Sequence, residues 1–268
     1  MSKQMNQYRP QSEQKVATDL KEAVRLRYFH GMLLDVYHFE LEQNYFNAKR
    51  QLSNRLITGP GVVCGLDVVL SDDGRWVRVQ PGLAIDRCGH EIIVSKESEP
   101  VELPPLPEYD SDRTQEDYGR QQRQMGRSEH RYCDDEYAHI VLCYHECPSD
   151  PVPVVAGDCE TVAMCASGSV RERYELKVRE GNAPDRRVDF PDVIEGRRIS
   201  YAAIVDYVTR GCRAMPEDCC LPLANVLLKD TGSGWEPEID ITCRPIVYTN
   251  RLLYHLLVSL VRQEESEY

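Results

Sequence analysis

Residues 61–94 read GVVCGLDVVLSDDGRWVRVQPGLAIDRCGHEIIV. Gly61 to Leu70 is apolar and β-branched, Ser71-Asp72-Asp73-Gly74 is a turn, and Trp76 to Val79 alternates with Arg75, Arg78 and Gln80. Pro81-Gly82 breaks the chain, residues 83–86 form a third run, and the turn Arg87-Cys88-Gly89 leads into a fourth, Glu91 to Val94. Runs of this length between such turns are strands. Gly74 and Gly89 supply the positive φ that tight hairpins require. Four short strands at this spacing predict an antiparallel β-meander or a small sandwich.

Upstream the pattern changes period. Asp35 can act as an N-cap, and Leu41, Tyr45, Ala48, Leu52 and Leu56 recur every three or four residues, with Glu42, Lys49, Arg50 and Arg55 between them. This predicts an amphipathic helix of roughly 20 residues, stopped by Gly59-Pro60. Val16 to Leu34 reads as a further short helix ending before Gly31, and residues 1–15 as a polar arm. Tyr28, Phe29, Met32, Leu33, Leu34, Tyr37 and Phe39 crowd the entry to the long helix. Two readings stand for them: packing of the helix onto the meander, or an exposed patch that docks a partner.

Downstream, residues 108–136 contain no Val, Ile, Leu or Phe. Such a stretch buries too little surface to offset its ordering entropy and reads as a linker, or as a loop ordered on assembly. Strands resume at Tyr137 to His145, followed by a Pro- and Cys-rich loop from Cys147 to Gly168. Tyr174 to Arg179, Leu221 to Leu228 and Glu238 to Thr242 read as strands, and Ser200 to Thr209 as a strand or short helix. Tyr248 to Arg262 repeats apolar residues at 252, 253, 256, 257 and 260, a helix with a wide apolar stripe. The fold class is α+β. An arm (1–15) precedes a unit of helix on antiparallel meander (16–105), an acidic, Gln- and Arg-rich linker (106–136), and a second β-rich, Cys-containing unit closed by a C-terminal helix (137–268).

Composition narrows the function. The chain has 268 residues with a formal net charge of −12, a sign that repels phosphate backbones and argues against nucleic-acid partners. The longest near-apolar run, Leu252 to Val261, is far shorter than the ~20 residues of a spanning helix, and the start of the chain lacks the apolar segment of a secretory signal. The expected setting is the cytoplasm. There the default for the 11 cysteines is reduced thiols, with Cys64, Cys143 and Cys243 as small buried hydrophobes.

Catalytic signatures are missing. No P-loop, dinucleotide fingerprint, nucleophile elbow or H-E-x-x-H occurs, and His145-Glu146-Cys147 lacks the rest of a zinc-deaminase pattern. The pairs Cys88/His90 and Cys143/His145 each share one strand face and read as structural residues beside turns. The sharper candidate is a structural Zn²⁺. Cys147, Cys159 and Cys165 lie in one core-poor loop and Cys212, Cys219 and Cys220 in another. Four thiolates would tie two such loops together, with Cys147, Cys159, Cys165 and Cys220 as the ligand set. Inert thiols and disulfides are the competing readings.

One signature runs through the first half: Tyr28 to Leu34, Phe39, Glu42-Gln43, Tyr45, Lys49, Asn54-Arg55-Leu56, Gly61 to Leu66, Pro81 to Asp86, Cys88-Gly89 and Glu91-Ile92. It resembles a family of uncharacterised proteins encoded with bacterial phage-tail-like contractile injection systems. Its meander portion is also similar to N-terminal modules of phage baseplate and tail-fibre proteins. The resemblance implies a non-enzymatic structural or adaptor component at the baseplate or another tail end. It would be held by other proteins of the particle, in several copies, with no direct membrane insertion. A soluble assembly chaperone, or a zinc-dependent enzyme, are the alternatives it competes with.

Overall fold

Asp35 opens the first helix. Its side chain accepts the His38 backbone N–H at 3.2 Å while His38 Nδ1 accepts the Asp35 N–H at 3.3 Å, a reciprocal cap that satisfies two otherwise orphan donors. The structure is a computed structural model describing residues 22–106, 136–154, 165–184, 194–195, 198–209, 211–231 and 234–266. The predicted arm (1–15) and most of the linker, residues 107–135, lie outside the described residues. Helix α1 spans Val36–Ser53 and runs on into one π-type turn, Asn54–Thr58. Gly59, at φ 84°, ends it by donating its N–H to the Asn54 carbonyl at 2.8 Å. The described part of the shorter helix expected before it, residues 22–34, contains no helix. That segment runs back along α1 instead, tied by a hydrogen bond from the Tyr28 hydroxyl to Glu42.

The meander forms as two three-stranded antiparallel sheets. One has the order β1 (Gly61–Gly65), β4 (Gly82–Ile85), β5 (Glu91–Val94); the other joins β2 (Val68–Leu70), β3 (Trp76–Val79) and β6 (Val101–Glu102) in that order. Leu66, at φ 59°, breaks the long first run in two and sends the chain from one sheet to the other. Period two then sorts the side chains: Val77 and Val79 of β3 and Ile92 and Val94 of β5 are buried, while Arg78 and Ile93 point to solvent.

The second unit is a four-stranded antiparallel sheet of order β12-β11-β7-β8, built from β7 (Glu136–Pro153), β8 (Cys165–Glu180), β11 (Leu221–Asp230) and β12 (Trp235–Asp240). The short pair β9 (Ile194–Glu195) and β10 (Arg198–Ile199) precedes helix α2, Tyr201–Thr209, and helix α3, Asn250–Ser266, follows the sheet. Residues 200–209 thus resolve as helix. The largest departure is at 147–168. Its described residues are almost all strand, with β7 and β8 paired as far as Pro153 opposite Cys165, while residues 155–164 lie outside the described residues. Pro148, Pro151 and Pro153 spell a loop locally, but beyond Leu142 one side of β7 has no partner strand among the described residues, and an edge strand tolerates missing N–H donors. Ser149 and Ser169 bond across the ribbon at 2.7 Å, and Arg171 reaches Asp150 at 3.0 Å.

Both units share one core. Leu66, Val77, Val79 and Ile92 of the meander pack in a single buried cluster with Ile140, Leu142, Leu221, Leu223 and Val226 of the larger sheet. A parallel backbone contact also joins the two halves: Val62 donates to the Pro245 carbonyl at 2.8 Å and Val247 donates back to Val62 at 3.0 Å. Gly61 permits it, since a Cβ there would stand 2.6 Å from the Ile246 carbonyl carbon.

Candidate functional site

Helix α1 touches the meander by its foot. Asn54 Nδ2 donates to the Gly89 carbonyl at 2.9 Å and to Glu91 Oε1 at 2.8 Å, and Arg50 Nε lies 3.2 Å from Glu91 Oε2. At Gly89, φ 96°, a Cβ would meet the Gln51 carbonyl oxygen at 2.2 Å, so the turn between β4 and β5 fits against the helix backbone only as glycine. Above this foot no residue of α1 is buried. Leu41, Tyr45 and Leu52 of the predicted stripe are half-buried, whereas Phe39 and Phe46 on the other flank are 53% and 59% exposed. Of the two readings of the aromatic cluster, packing holds only at the foot, and the cluster itself is largely open.

Behind that foot lies a buried polar group. Asp86 is fully buried and accepts the backbone N–H groups of Cys88 at 2.8 Å and His90 at 2.9 Å; its other oxygen lies 2.8 Å from His90 Nδ1. The His90 ring stacks on Tyr144 of β7, with centroids 4.4 Å apart and planes 6° from parallel. Burial, reinforced by the hydrogen bond from its hydroxyl to Glu146 at 2.9 Å, pushes the Tyr144 phenol far above its ordinary value, so it stays a donor. Chemically the group clamps a turn, since each partner of Asp86 belongs to the hairpin it closes.

Disulfides flank this clamp. Cys88 pairs with Cys219 and Cys143 with Cys220, so two consecutive residues bridge the meander turn and strand β7. The expectation of reduced thiols fails at these four positions. Spacing in the sequence offered no signal for the pairing, because the partners are 131 and 77 residues apart. Cys64 is exposed and Cys243 half-buried, so of the three proposed apolar thiols only Cys143 is buried, and it is bridged.

The proposed zinc ligands are not brought together. Cys220 is committed to Cys143, and Cys159 lies outside the described residues. Cys147 sits opposite Arg171 and Cys165 opposite Pro153, six residues along the ribbon, which at strand rise is about 20 Å. Among the described residues no group of three or more His, Cys, Asp or Glu has a metal-holding arrangement. No helix of the described chain is long and apolar enough to cross a membrane.

A cleft of 580 Å³ lies between residues 95–99 and the 172–176 stretch of β8, lined by Lys96, Glu97, Glu99, Glu172, Arg173 and Glu175 among others. These charges alternate with Ile93, Val101, Tyr174 and Leu176, and the cleft is open to water. Further exposed apolar side chains lie on α1 and on α3, where Leu253, Tyr254, Leu256 and Leu257 are exposed.

No family model matches the chain, and no curated protein matches it. A solved structure described as the crystal structure of TssK is similar over 81% of this chain, at 12% identity and a TM-score of 0.34. The chain spans 41% of that structure's length.

Proposed function

We propose that this chain is a non-enzymatic structural or adaptor component of a phage-tail-like contractile injection system, placed at the baseplate or another tail end and working through protein–protein contacts. The resemblance of residues 28–95 supports the reading, and one structural observation carries it. An 18-residue helix is fastened to the body at its foot, has no buried residue, and presents Phe39 and Phe46 to solvent above a cross-linked base. Helices in proteins draw most of their stability from packing of an apolar face, so such an arrangement suits a protein that is completed by its neighbours. The charged cleft and the Asp86 clamp serve structure in this reading.

Purified particles should contain the chain, detected by mass spectrometry and located by cryo-electron microscopy, and its deletion should block assembly. A Phe39→Ser, Phe46→Ser variant should fold with an unchanged melting curve yet be lost from particles. Absence of the chain from particles that assemble normally in its deletion overturns the proposal. So does recovery of the chain only in extracts, bound to one component, which is the signature of an assembly chaperone.

A further inference from the structure

We infer that Cys219-Cys220 is the catch of a redox-operated strap: residues 211–220 are fastened to both units by the two bridges and come free when small thiols open them, while the body stays folded. The placement of the bridges carries the inference. Cys88 sits in the turn of the first unit and Cys143 in β7 of the second, and two consecutive residues reach both. None of residues 211–220 is buried, so apolar burial does little to hold this stretch. Its polar ties run to the same places. Arg55, at the foot of α1, donates to the Arg213 carbonyl at 2.8 Å, the Arg87 N–H donates to the Cys219 carbonyl at 3.1 Å, and Arg179 holds Asp218. The core does not depend on the bridges: none of the four cysteines belongs to the common apolar cluster, and the contact of Val62 with Pro245 and Val247 joins the units independently.

Access suits exchange. In each bridge one half is buried, Cys88 or Cys143, and the other is half-buried, so a small thiolate reaches the sulfur on the strap side. Arg87, exposed beside Cys88, favours an anion there. With glutathione as the reductant, its thiolate attacks Cys219 Sγ, the S–S bond breaks, and Cys88 leaves as a thiolate that takes up a proton. A second glutathione thiolate attacks the glutathione sulfur of the mixed disulfide and releases glutathione disulfide and the Cys219 thiolate, which is protonated in turn. Cys143–Cys220 opens in the same way. Each bridge thus gains two electrons from two glutathiones, which leave as one glutathione disulfide, and glutathione disulfide closes the strap by the reverse steps. The inference concerns the isolated chain and stands apart from its proposed place in a particle.

The test equilibrates the full chain in mixtures running from glutathione disulfide alone to glutathione alone, followed by acid quench, alkylation and peptide mapping. Amide exchange is measured by mass spectrometry at the two extremes. Cys212, exposed within the strap, is changed to Ser so that its own mixed disulfide does not enter the reading. Both bridges should convert reversibly at intermediate mixtures in the native protein, and reduction should speed exchange in 211–220 by about tenfold or more. Exchange should also rise in the Arg87 to Gly89 turn, while residues 138–142 and 221–226 stay protected and the far-ultraviolet circular dichroism is unchanged. Bridges that resist glutathione until the chain is denatured overturn the inference, as do thiols that never pair under glutathione disulfide. A strap whose exchange ignores redox state overturns it too. So does loss of protection in the core strands together with the strap, which is global unfolding.

Discussion

The imidazole of His90 lies flat against the phenol of Tyr144, their centroids 4.4 Å apart, so a turn of the first unit and a strand of the second share one aromatic wall. Asp86 fixes His90 in that position from behind, and the disulfides at Cys88 and Cys143 lie within two residues of the stacked pair on each side. The seam between the units is therefore held by stacking and covalent bridges at one place, with Asp86 fixing the turn behind them. The foot of α1 rests on the same turn through Gly89, which links the exposed helix to this cross-linked turn.

The first consequence concerns redox conditions. Each bridge closes a long segment of chain, and removing such a crosslink typically costs about 2–4 kcal/mol. Reductant, or Cys88→Ser with Cys219→Ser, should lower the melting temperature measured by circular dichroism. Alkylation of the native protein followed by peptide mapping should label Cys165 and Cys212 and spare Cys88, Cys143, Cys219 and Cys220. Full labelling of the latter four without reductant would contradict the pairing.

Asp86 is a buried acceptor whose three partners are all local. Asp86→Ala leaves those donors unpaired and should destabilise by about 3 kcal/mol in urea unfolding, with Asp86→Asn costing less. The Asp86→Ala and His90→Ala losses should be strongly non-additive, because the two changes remove a shared contact.

Gly89→Ala is predicted to do disproportionate damage for a single methyl group. The added Cβ meets the Gln51 carbonyl oxygen at 2.2 Å in a φ 96° conformation that alanine resists. The foot of α1 must shift, and limited proteolysis should cut sooner between α1 and β1, while Gly181→Ala, with open space around its Cβ and φ 72°, should show only the backbone cost.

Core truncation should be expensive wherever the two units meet. Leu142 is fully buried in the common cluster, so Leu142→Ala should lose about 2–5 kcal/mol. Unfolding should remain a single transition, because both units contribute to that cluster; two separated transitions would show that they fold apart.

Acid should weaken a further link. Arg179 donates to both oxygens of Asp218 at 2.6 and 3.3 Å, and this bond, against a lesser opposing push from burial, holds the Asp218 carboxyl below its ordinary value. A depressed carboxyl binds its proton more weakly when folded than unfolded. Its contribution is therefore present above the unfolded value of about 3.9 and is lost as pH falls through the folded one. The pair is 38% and 43% exposed, so solvent screening limits the contribution to about 1 kcal/mol or less. Asp218→Asn should cost that contribution at neutrality, flatten the acid limb of the stability profile below about pH 4, and converge on the parent at the acid end.

Local chemistry alone determined the α+β class, the Asp35 cap, the hairpins at Gly74 and Gly89, the buried strand at Leu221 and the apolar stripe of α3, because caps, turns and periodicity act over a few residues. It did not determine the β7–β8 ribbon, since cross-strand pairing overrode the proline signals of 148–153, nor the fate of the cysteines. Which sulfur meets which depends on chain segments 77 and 131 residues apart arriving at one turn. The openness of α1 and α3 was likewise a tertiary result. Periodicity shows that a helix has an apolar face, but only the packed body shows whether anything lies against it.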